Sequence, residues 1–324
     1  MPLRIRIVFC GTPSFAVPTL KHLLAQPDIE IVGVITQPDR PRGRGQDVSF
    51  SAVKEAALAA KLAVHQPEKI RALEAETLLR KLAPDAVVII AYGQIIPGKL
   101  LPFPKLGWIN LHASLLPKYR GAAPINWPIV NGETRTGVTT MRIDAGMDTG
   151  DMLLQREIEI GAKETAPELA ARLSEIGAPL MVETLRGLAA GTIVPRAQNH
   201  TEASYAPMLK KEDGRIDWKR PATEIYNRMR GFAPWPGAYT TFRGQSCHVW
   251  GEPASKGEGA GSQRGRGEAA PGTLFGEKNE LFVCCGDATV LWVSAVKLEG
   301  RKPVKAGDFV NGARLKNGER FGYS

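Results

Sequence analysis

The sequence predicts an α/β protein in which a doubly wound, mostly parallel sheet is followed by a smaller β-barrel domain. Three observations carry this expectation. Strand-like and helix-like segments alternate through the first half, which implies right-handed crossovers and a parallel sheet. The segment Ala86–Ala91 (AVVIIA) is a continuous apolar run, as suits a central strand covered on both faces. Past about residue 206 the segments become short and β-like, at a spacing that suits a small barrel. A length of 324 residues makes two domains the default, divided as 1–188, a linker over 189–206, and 207–324.

The elements follow in order. Arg4–Cys10 alternates and is rich in Ile and Val, so it reads as a first strand that Gly11 breaks. Pro13 then stands near the start of a helix reaching Leu24. Ile29–Ile35 is a β-branched run and a second buried strand. Helices are expected over 52–61 and 70–82, with Ala86–Ala91 behind them, flanked by Pro84 and Gly93. Ile109–Leu111 reads as the end of a further strand. Thr165-Ala166-Pro167-Glu168 fits a capping box, with its helix running to about Leu188. Residues 189–206 are polar and without period. One helix, Ala222–Met229, precedes strands at 239–242, 247–250, 281–284 and 290–296. The stretch 253–272 is rich in Gly, Ala and charge and reads as a loop between strands.

Composition narrows the function classes. Hydrophobic residues at 43% and charged residues at 23% describe a globular protein that can bury a core without staples. Four cysteines, with no C-x-x-C pair, argue against a disulfide framework and a zinc site. The N-terminus lacks the apolar region of a secretory signal, and no stretch reaches the ~18 apolar residues of a membrane span. A cytoplasmic protein is expected, and nothing demands more than a monomer. The formal net charge of +9 raises the prior for a polyanionic partner.

The residues able to do chemistry concentrate in GWINLHASLLPKYRGAAP, 107–124. On a strand, Asn110 and His112 point to one face, because side chains alternate with period two. An amide there can donate to a carbonyl oxygen as it gains negative charge. An imidazole can add to that stabilisation or move a proton near neutral pH. The competing reading of His112 is a satisfied histidine near a turn. Ser114–Pro117 and Gly121–Pro124 set a tight, partly apolar loop beside the pair. MRIDAGMDTGD, 141–151, adds Asp144, Asp148 and Asp151 on a glycine-rich turn, where Asp144 and Asp151 are equally well explained as turn residues. Tyr92-Gly93, just past the most apolar strand, is a candidate wall of a site at the carboxyl ends of the strands.

Two basic features stand apart from this block. TQPDRPRGRGQ, 36–46, places Arg40, Arg42 and Arg44 among Pro and Gly in what reads as a loop, whose arginines can pair with phosphates or stack on unpaired bases. A solvated loop with no partner is the alternative. The second domain carries Lys210, Lys211, Arg215, Lys219 and Arg220 near its start. Arg228, Arg230, Arg243, Lys297, Arg301, Lys302 and Lys305 follow, a distribution suited to nucleic-acid phosphates.

Asn110-x-His112-x-Ser-Leu-Leu-Pro, with Asp148 thirty-six positions after His112, resembles the folate-dependent formyltransferases. That family includes enzymes acting on glycinamide ribonucleotide, on sugar amines and on methionyl-tRNA. FCGTPSFAVPTL (9–20), TQPDRPRGRGQ (36–46), VVIIAYGQIIP (87–97), MRIDAGMDTGD, RIDW (215–218) and GFAPWPGAY (231–239) resemble the tRNA-dependent branch most closely, over nearly the whole chain. The resemblance implies a Rossmann-like first domain and an OB-like C-terminal barrel. It implies that 10-formyltetrahydrofolate is the co-substrate, initiator methionyl-tRNA the acceptor, and that no metal takes part. By the same resemblance Asn110 would hold the formyl oxygen and His112 would stabilise the tetrahedral intermediate. Asp148 would keep His112 charged or oriented. Ser114, Leu115, Leu116 and Pro117 would line the folate site, and backbone around Ile90, Ala91, Tyr92 and Gly93 would face the pterin. The 36–46 insertion, with Arg40, Arg42 and Arg44, would contact the tRNA acceptor end with Arg42 as the main contact, while Lys210 and Lys211 are candidate tRNA contacts of the basic second domain. The rival expectations are transfer to a nucleotide-linked amino sugar, a non-catalytic RNA-binding protein on the same scaffold, and a hydrolase that only deformylates the folate.

Overall fold

A computed structural model of the chain describes residues 4–42, 47–254, 269–277, 279–316 and 318–322. Arg44 and residues 255–268 of the 253–272 stretch lie outside the described residues. In chain order the strands of the first half are β1 (Ile5–Gly11), β2 (Ile29–Ile35), β3 (Arg40–Arg42), β4 (Asp47–Ser49), β5 (Val64–His65), β6 (Ala86–Ile90), β7 (Gly107–His112), β8 (Arg135–Arg142) and β9 (Met152–Glu159). The helices are α1 (Val17–Leu24), α2 (Ala52–Ala59), α3 (Leu73–Leu82), α4 (Asn126–Val130), α5 (Ala166–Ala190), α6 (Ala222–Gly231) and α7 (Ala306–Gly312).

The chain divides into two compact units. The first takes residues 1–124, 135–159 and 168–207; the second takes 125–134, 160–167 and 208–324. The first is built on a seven-stranded sheet in the order β5-β2-β1-β6-β7-β8-β9. Pairing is parallel from β5 to β7 and antiparallel at β7–β8 and β8–β9. The Rossmann-like, mostly parallel sheet is therefore present, with two antiparallel strands added at one edge.

Side-chain parity explains how both faces are covered. Val8 and Cys10 of β1, Val87 and Ile89 of β6 and Trp108 of β7 cluster on one face with Ala75 and Leu79 of α3. On the other face α5 lies close to β7, because Gly177 has no side chain: a Cβ there would come within 2.5 Å of Leu111 Cδ2. Thr184 of α5 shares a 2.8 Å hydroxyl hydrogen bond with Thr140 of β8 on that same face. Every residue of β6 is buried, and each such aliphatic side chain contributes about 1.5–3 kcal/mol relative to exposure.

The expected loop over 36–46 contains structure. Arg40–Arg42 pairs antiparallel with Asp47–Ser49, with Arg42 opposite Asp47. The helix expected over 70–82 begins at Leu73, and the helix behind the capping-box sequence extends to Ala190.

The second unit carries β10 (Tyr239–Phe242), β11 (Gln245–Pro253), β12 (Leu274–Glu277), β13 (Glu280–Cys284), β14 (Val290–Leu298) and β15 (Val304–Lys305). They form an antiparallel sheet in the order β10-β11-β14-β13-β12, with β15 on β14. Its core gathers Ile225 and Met229 of α6 with Val249, Leu281, Val293 and Phe309. Trp218 stacks on Phe321 at 5.6 Å. All four cysteines are buried free thiols. Among the described residues no helix is long and apolar enough to cross a membrane.

Candidate active site

In an open parallel sheet the crevice opens outside the carboxyl ends of the strands, where strand order reverses. Here β2 and β5 follow β1 on one side, and the chain then crosses to β6 on the other. A cleft of about 1150 Å³ lies at that reversal. Its walls include Thr12 and Pro13 after β1, Gln37 and Arg40 after β2, Lys69 and Arg71, and Ala91, Tyr92 and Gly93 after β6. Sequence reasoning found the last three and Arg40 and missed the rest. A smaller cavity of about 140 Å³ is walled by Ile89, Ile96, Met141, Ile143 and the turn 144–148.

Behind β6 the chain turns sharply. Ala91 (φ 46°) and Gly93 (φ 86°) both sit in the left-handed region. Ile90 is fully buried as the last residue of the strand. The Tyr92 carbonyl accepts from Thr12 Oγ1 at 3.1 Å and Gln37 Nε2 at 3.0 Å. Among the described residues its hydroxyl is buried without a partner, and burial pushes its titration upward.

The root of the arginine segment is held as well. Gln66 Nε2 donates to the Gln37 carbonyl and to Asp39 Oδ1, and Lys54 pairs with Asp39. The Lys54 ammonium holds the Asp39 carboxyl below the usual carboxylate range. Arg40 itself is exposed, 3.9 Å from Glu68.

β7 delivers Asn110 and His112 at the carboxyl edge, on the face that carries Trp108. Asn110 is half-buried and His112 is 5% exposed. The His112 ring is hydrogen-bonded on one side and faces a carboxylate on the other. Nε2 lies 2.9 Å from the Tyr119 carbonyl oxygen. A carbonyl only accepts, so Nε2 carries a hydrogen. Nδ1 then faces the Asp148 carboxylate, with Oδ2 at 3.7 Å, within ion-pair range and longer than a hydrogen bond.

Asp148 reaches this position from the turn joining β8 to β9, in the left-handed conformation (φ 53°) that Asp tolerates better than most residues. Oδ2 also accepts from Gly121 N at 2.8 Å. Gly121 must be glycine here. Its φ is +118°, and a Cβ would lie 2.8 Å from the Ala206 carbonyl oxygen. Of the other two carboxylates, Asp144 accepts from Gly146 N and Thr149 Oγ1 and so closes its own turn. Asp151 gives its carbonyl to Arg142 N.

Ser114–Pro117 form a braced loop. Ser114 Oγ donates to the Lys118 carbonyl at 2.6 Å, and Thr139 Oγ1 donates to the Ser114 carbonyl at 2.6 Å. Gln155 Nε2 donates to the Leu116 carbonyl at 2.9 Å. Ser114 and Leu116 are buried while Leu115 and Pro117 are half-buried. None of the four stands in the walls of the two clefts.

In the second unit Lys210, Lys211, Arg215, Lys219 and Arg220 are exposed. Three arginines counted with them are engaged elsewhere. Arg230 is buried and donates to the Gly161 and Glu164 carbonyls. Arg243 forks onto Glu319. Arg228 donates to the Asp213 carbonyl and lies over the Phe232 ring. These three hold the fold. Among the described residues no group of three or more His, Cys, Asp or Glu is placed to hold a metal ion.

Comparison with known proteins identifies the family. The formyl transferase family model matches residues 3–185, and the model of the formyl transferase C-terminal domain matches 208–314. A methionyl-tRNA formyltransferase of Solibacter usitatus (strain Ellin6076) is 55% identical over 98% of this chain and 99% of its own length. One of Koribacter versatilis (strain Ellin345) is 51% identical over 98% of each. Among solved structures, an N-formyltransferase of Helicobacter canadensis in complex with folinic acid and dTDP-3-aminofucose superposes with a TM-score of 0.62. It is 19% identical, over 90% of this chain and 99% of that one, so it speaks to the fold. On the two family models and relatives matched end to end, the chain belongs to the formyl transferase family, in the group of the methionyl-tRNA formyltransferases.

Proposed function

We propose that the chain transfers the formyl group of 10-formyltetrahydrofolate to the α-amino group of methionine on initiator methionyl-tRNA, readying that tRNA for translation initiation. The observation that carries the chemistry is the His112 ring held between the Tyr119 carbonyl and the Asp148 carboxylate, on the strand face it shares with Asn110. The bond from carbon to the methionine nitrogen forms as the bond from carbon to the folate nitrogen breaks. The amine sheds one proton and the departing nitrogen gains one.

Asn110 donates to the carbonyl oxygen as it gains charge. His112 Nε2 is committed to a backbone carbonyl, so Nδ1 is the nitrogen free to take and return a proton, with Asp148 stabilising its charged form. The small cavity suits the flat ring of the folate: apolar walls from Ile89, Ile96, Met141 and Ile143, with the backbone of 144–148 along one side. The large cleft, with Arg40, Lys69 and Arg71 in its walls, suits the anionic aminoacyl end of the tRNA. Arg42 and Arg44, which follow Arg40 in sequence, add to its positive charge, and Lys210 and Lys211 of the second domain supply further phosphate contacts. A second domain at 207–324 that binds tRNA, a monomeric state and a cytoplasmic setting complete the proposal. What supports the tRNA acceptor over a sugar amine is the identity of 51–55% along both domains to methionyl-tRNA formyltransferases.

The test is formyl transfer from 10-formyltetrahydrofolate to charged initiator tRNA, with charged elongator tRNA and a nucleotide-linked amino sugar in parallel. Transfer to the initiator alone is expected. Transfer only to the sugar, or to nothing, overturns the proposal. Arg42→Ala is expected to raise the KM for methionyl-tRNA and to lower the slope of log(kcat/KM) against log salt by about 1, leaving folate affinity unchanged. Unaltered tRNA kinetics and salt slope would remove Arg42 from the interface.

A further inference from the structure

Residues 196–206 show no side-chain period, yet they are bonded repeatedly to both loops that hold His112. Arg196 exchanges both backbone hydrogen bonds with Met152, at 2.9 and 2.8 Å. The Gln198 side chain, 5% exposed, donates from Nε2 to the carbonyls of Asp148 at 2.8 Å and Gly150 at 2.7 Å. Its Oε1 accepts from Arg120 Nε at 2.9 Å and Nη2 at 2.7 Å. The guanidinium fixes which way the amide faces, since a flipped amide would oppose donor to donor.

Arg120 is 2% exposed, and its remaining contact is to His200 Nδ1 at 3.1 Å, which accepts. Ser204 Oγ accepts from Tyr119 N, and the Ser204 carbonyl accepts from Arg120 N. Ala206 exchanges with Arg120 and Ala123.

The two groups that flank the ring of His112 are the Tyr119 carbonyl and the Asp148 carboxylate, which come from separate loops. Tyr119 (φ 61°) and Asp148 (φ 53°) both stand in the left-handed region, which non-glycine residues keep only where their surroundings hold them. We infer that residues 196–206 form a positioning strap for the His112–Asp148 pair, with Gln198 and Arg120 as its positioning residues. Gln198 grips the backbone of Asp148 with one end and Arg120, next to Tyr119, with the other. The inference rests on the catalytic reading above.

The experiment is a double-mutant cycle on the full-length protein with charged initiator tRNA. Gln198→Leu removes all four hydrogen bonds at near-constant volume. Gln198→Glu keeps the acceptor for Arg120 and sets a carboxylate oxygen against the two carbonyls. Both are expected to lower kcat by up to about 100-fold, with KM for folate and for tRNA within about twofold. In an Asp148→Ala background Gln198→Leu should cost nothing further, because the strap acts through Asp148. An equal loss in both backgrounds, a loss confined to KM, or wild-type kcat overturns the strap. Should Gln198→Leu not fold, Ser204→Ala is cycled against His112→Ala with the same criteria. If Asp148→Ala alone turns over at the wild-type rate, the catalytic reading falls and the strap with it. If Asp148→Ala is slow and the two losses multiply, the strap falls alone.

Discussion

His112→Ala will melt as a folded protein and lose turnover by about 10²- to 10⁴-fold, the contribution of a positioned acid–base group. The fold survives because the loss is local. The ring is a single buried group, and its removal leaves the Tyr119 carbonyl without its donor, a cost of about 1–3 kcal/mol against a total stability of about 5–15 kcal/mol. The chemistry does not survive, because the ring is the group proposed to receive the proton lost by the amine, and alanine offers nothing in its place. The measurement is single-turnover formyl transfer at saturating folate and methionyl-tRNA, alongside a thermal melt. A rate within tenfold of wild type, with a native melt, removes His112 from the mechanism. A collapsed melt would instead identify it as the structural histidine that the sequence also allowed.

Much of this architecture was legible from side-chain pattern, and what was not has a physical reason. The AVVIIA run declared β6, and parity alone put Asn110 and His112 on one face. β8 and β9 were not visible. Arg135–Arg142 (RTGVTTMR) buries Thr136, Thr139 and Thr140, and buried threonines such as Thr139 and Thr140, whose hydroxyls are hydrogen-bonded, look polar to any count of hydrophobicity. The arginine segment read as a loop because Pro and Gly dominate it, while the β3–β4 pairing is made by backbone. The same limit hid the strap. Gln198 and Arg120 are 78 positions apart, and their meaning lies in carbonyls and amides that every residue shares. A glutamine in an aperiodic polar stretch carries no sign that its amide is buried against Asp148. Asp148 itself could be singled out from Asp144 and Asp151 only by resemblance. The structure separates them physically: Asp144 closes its own turn, and Asp148 turns towards His112.

Asp148→Asn isolates charge from shape, and it should lower kcat by about 10²- to 10⁴-fold while leaving the melt and both KM values close to wild type. Asparagine accepts the left-handed backbone at 148 as readily as aspartate. Its side-chain oxygen can still accept from Gly121 N, so the turn has no reason to move. What changes is the face presented to His112. With Nε2 already donating to the Tyr119 carbonyl, the neutral ring offers a lone pair at Nδ1. The oxygen nearest to Nδ1 is the same Oδ2 that Gly121 N holds, so asparagine keeps an oxygen there and loses the charge. A ring that takes up a proton at Nδ1 would then face a neutral oxygen where a carboxylate stood. An alanine at 148 removes the same charge together with the bond from Gly121 N, so if the charge carries the role Asn should be about as slow as Ala despite its closer shape. If Asn instead restores turnover that Ala lacks, Asp148 serves as a spacer for the loop, and the proton must leave the amine by a route that does not use its charge.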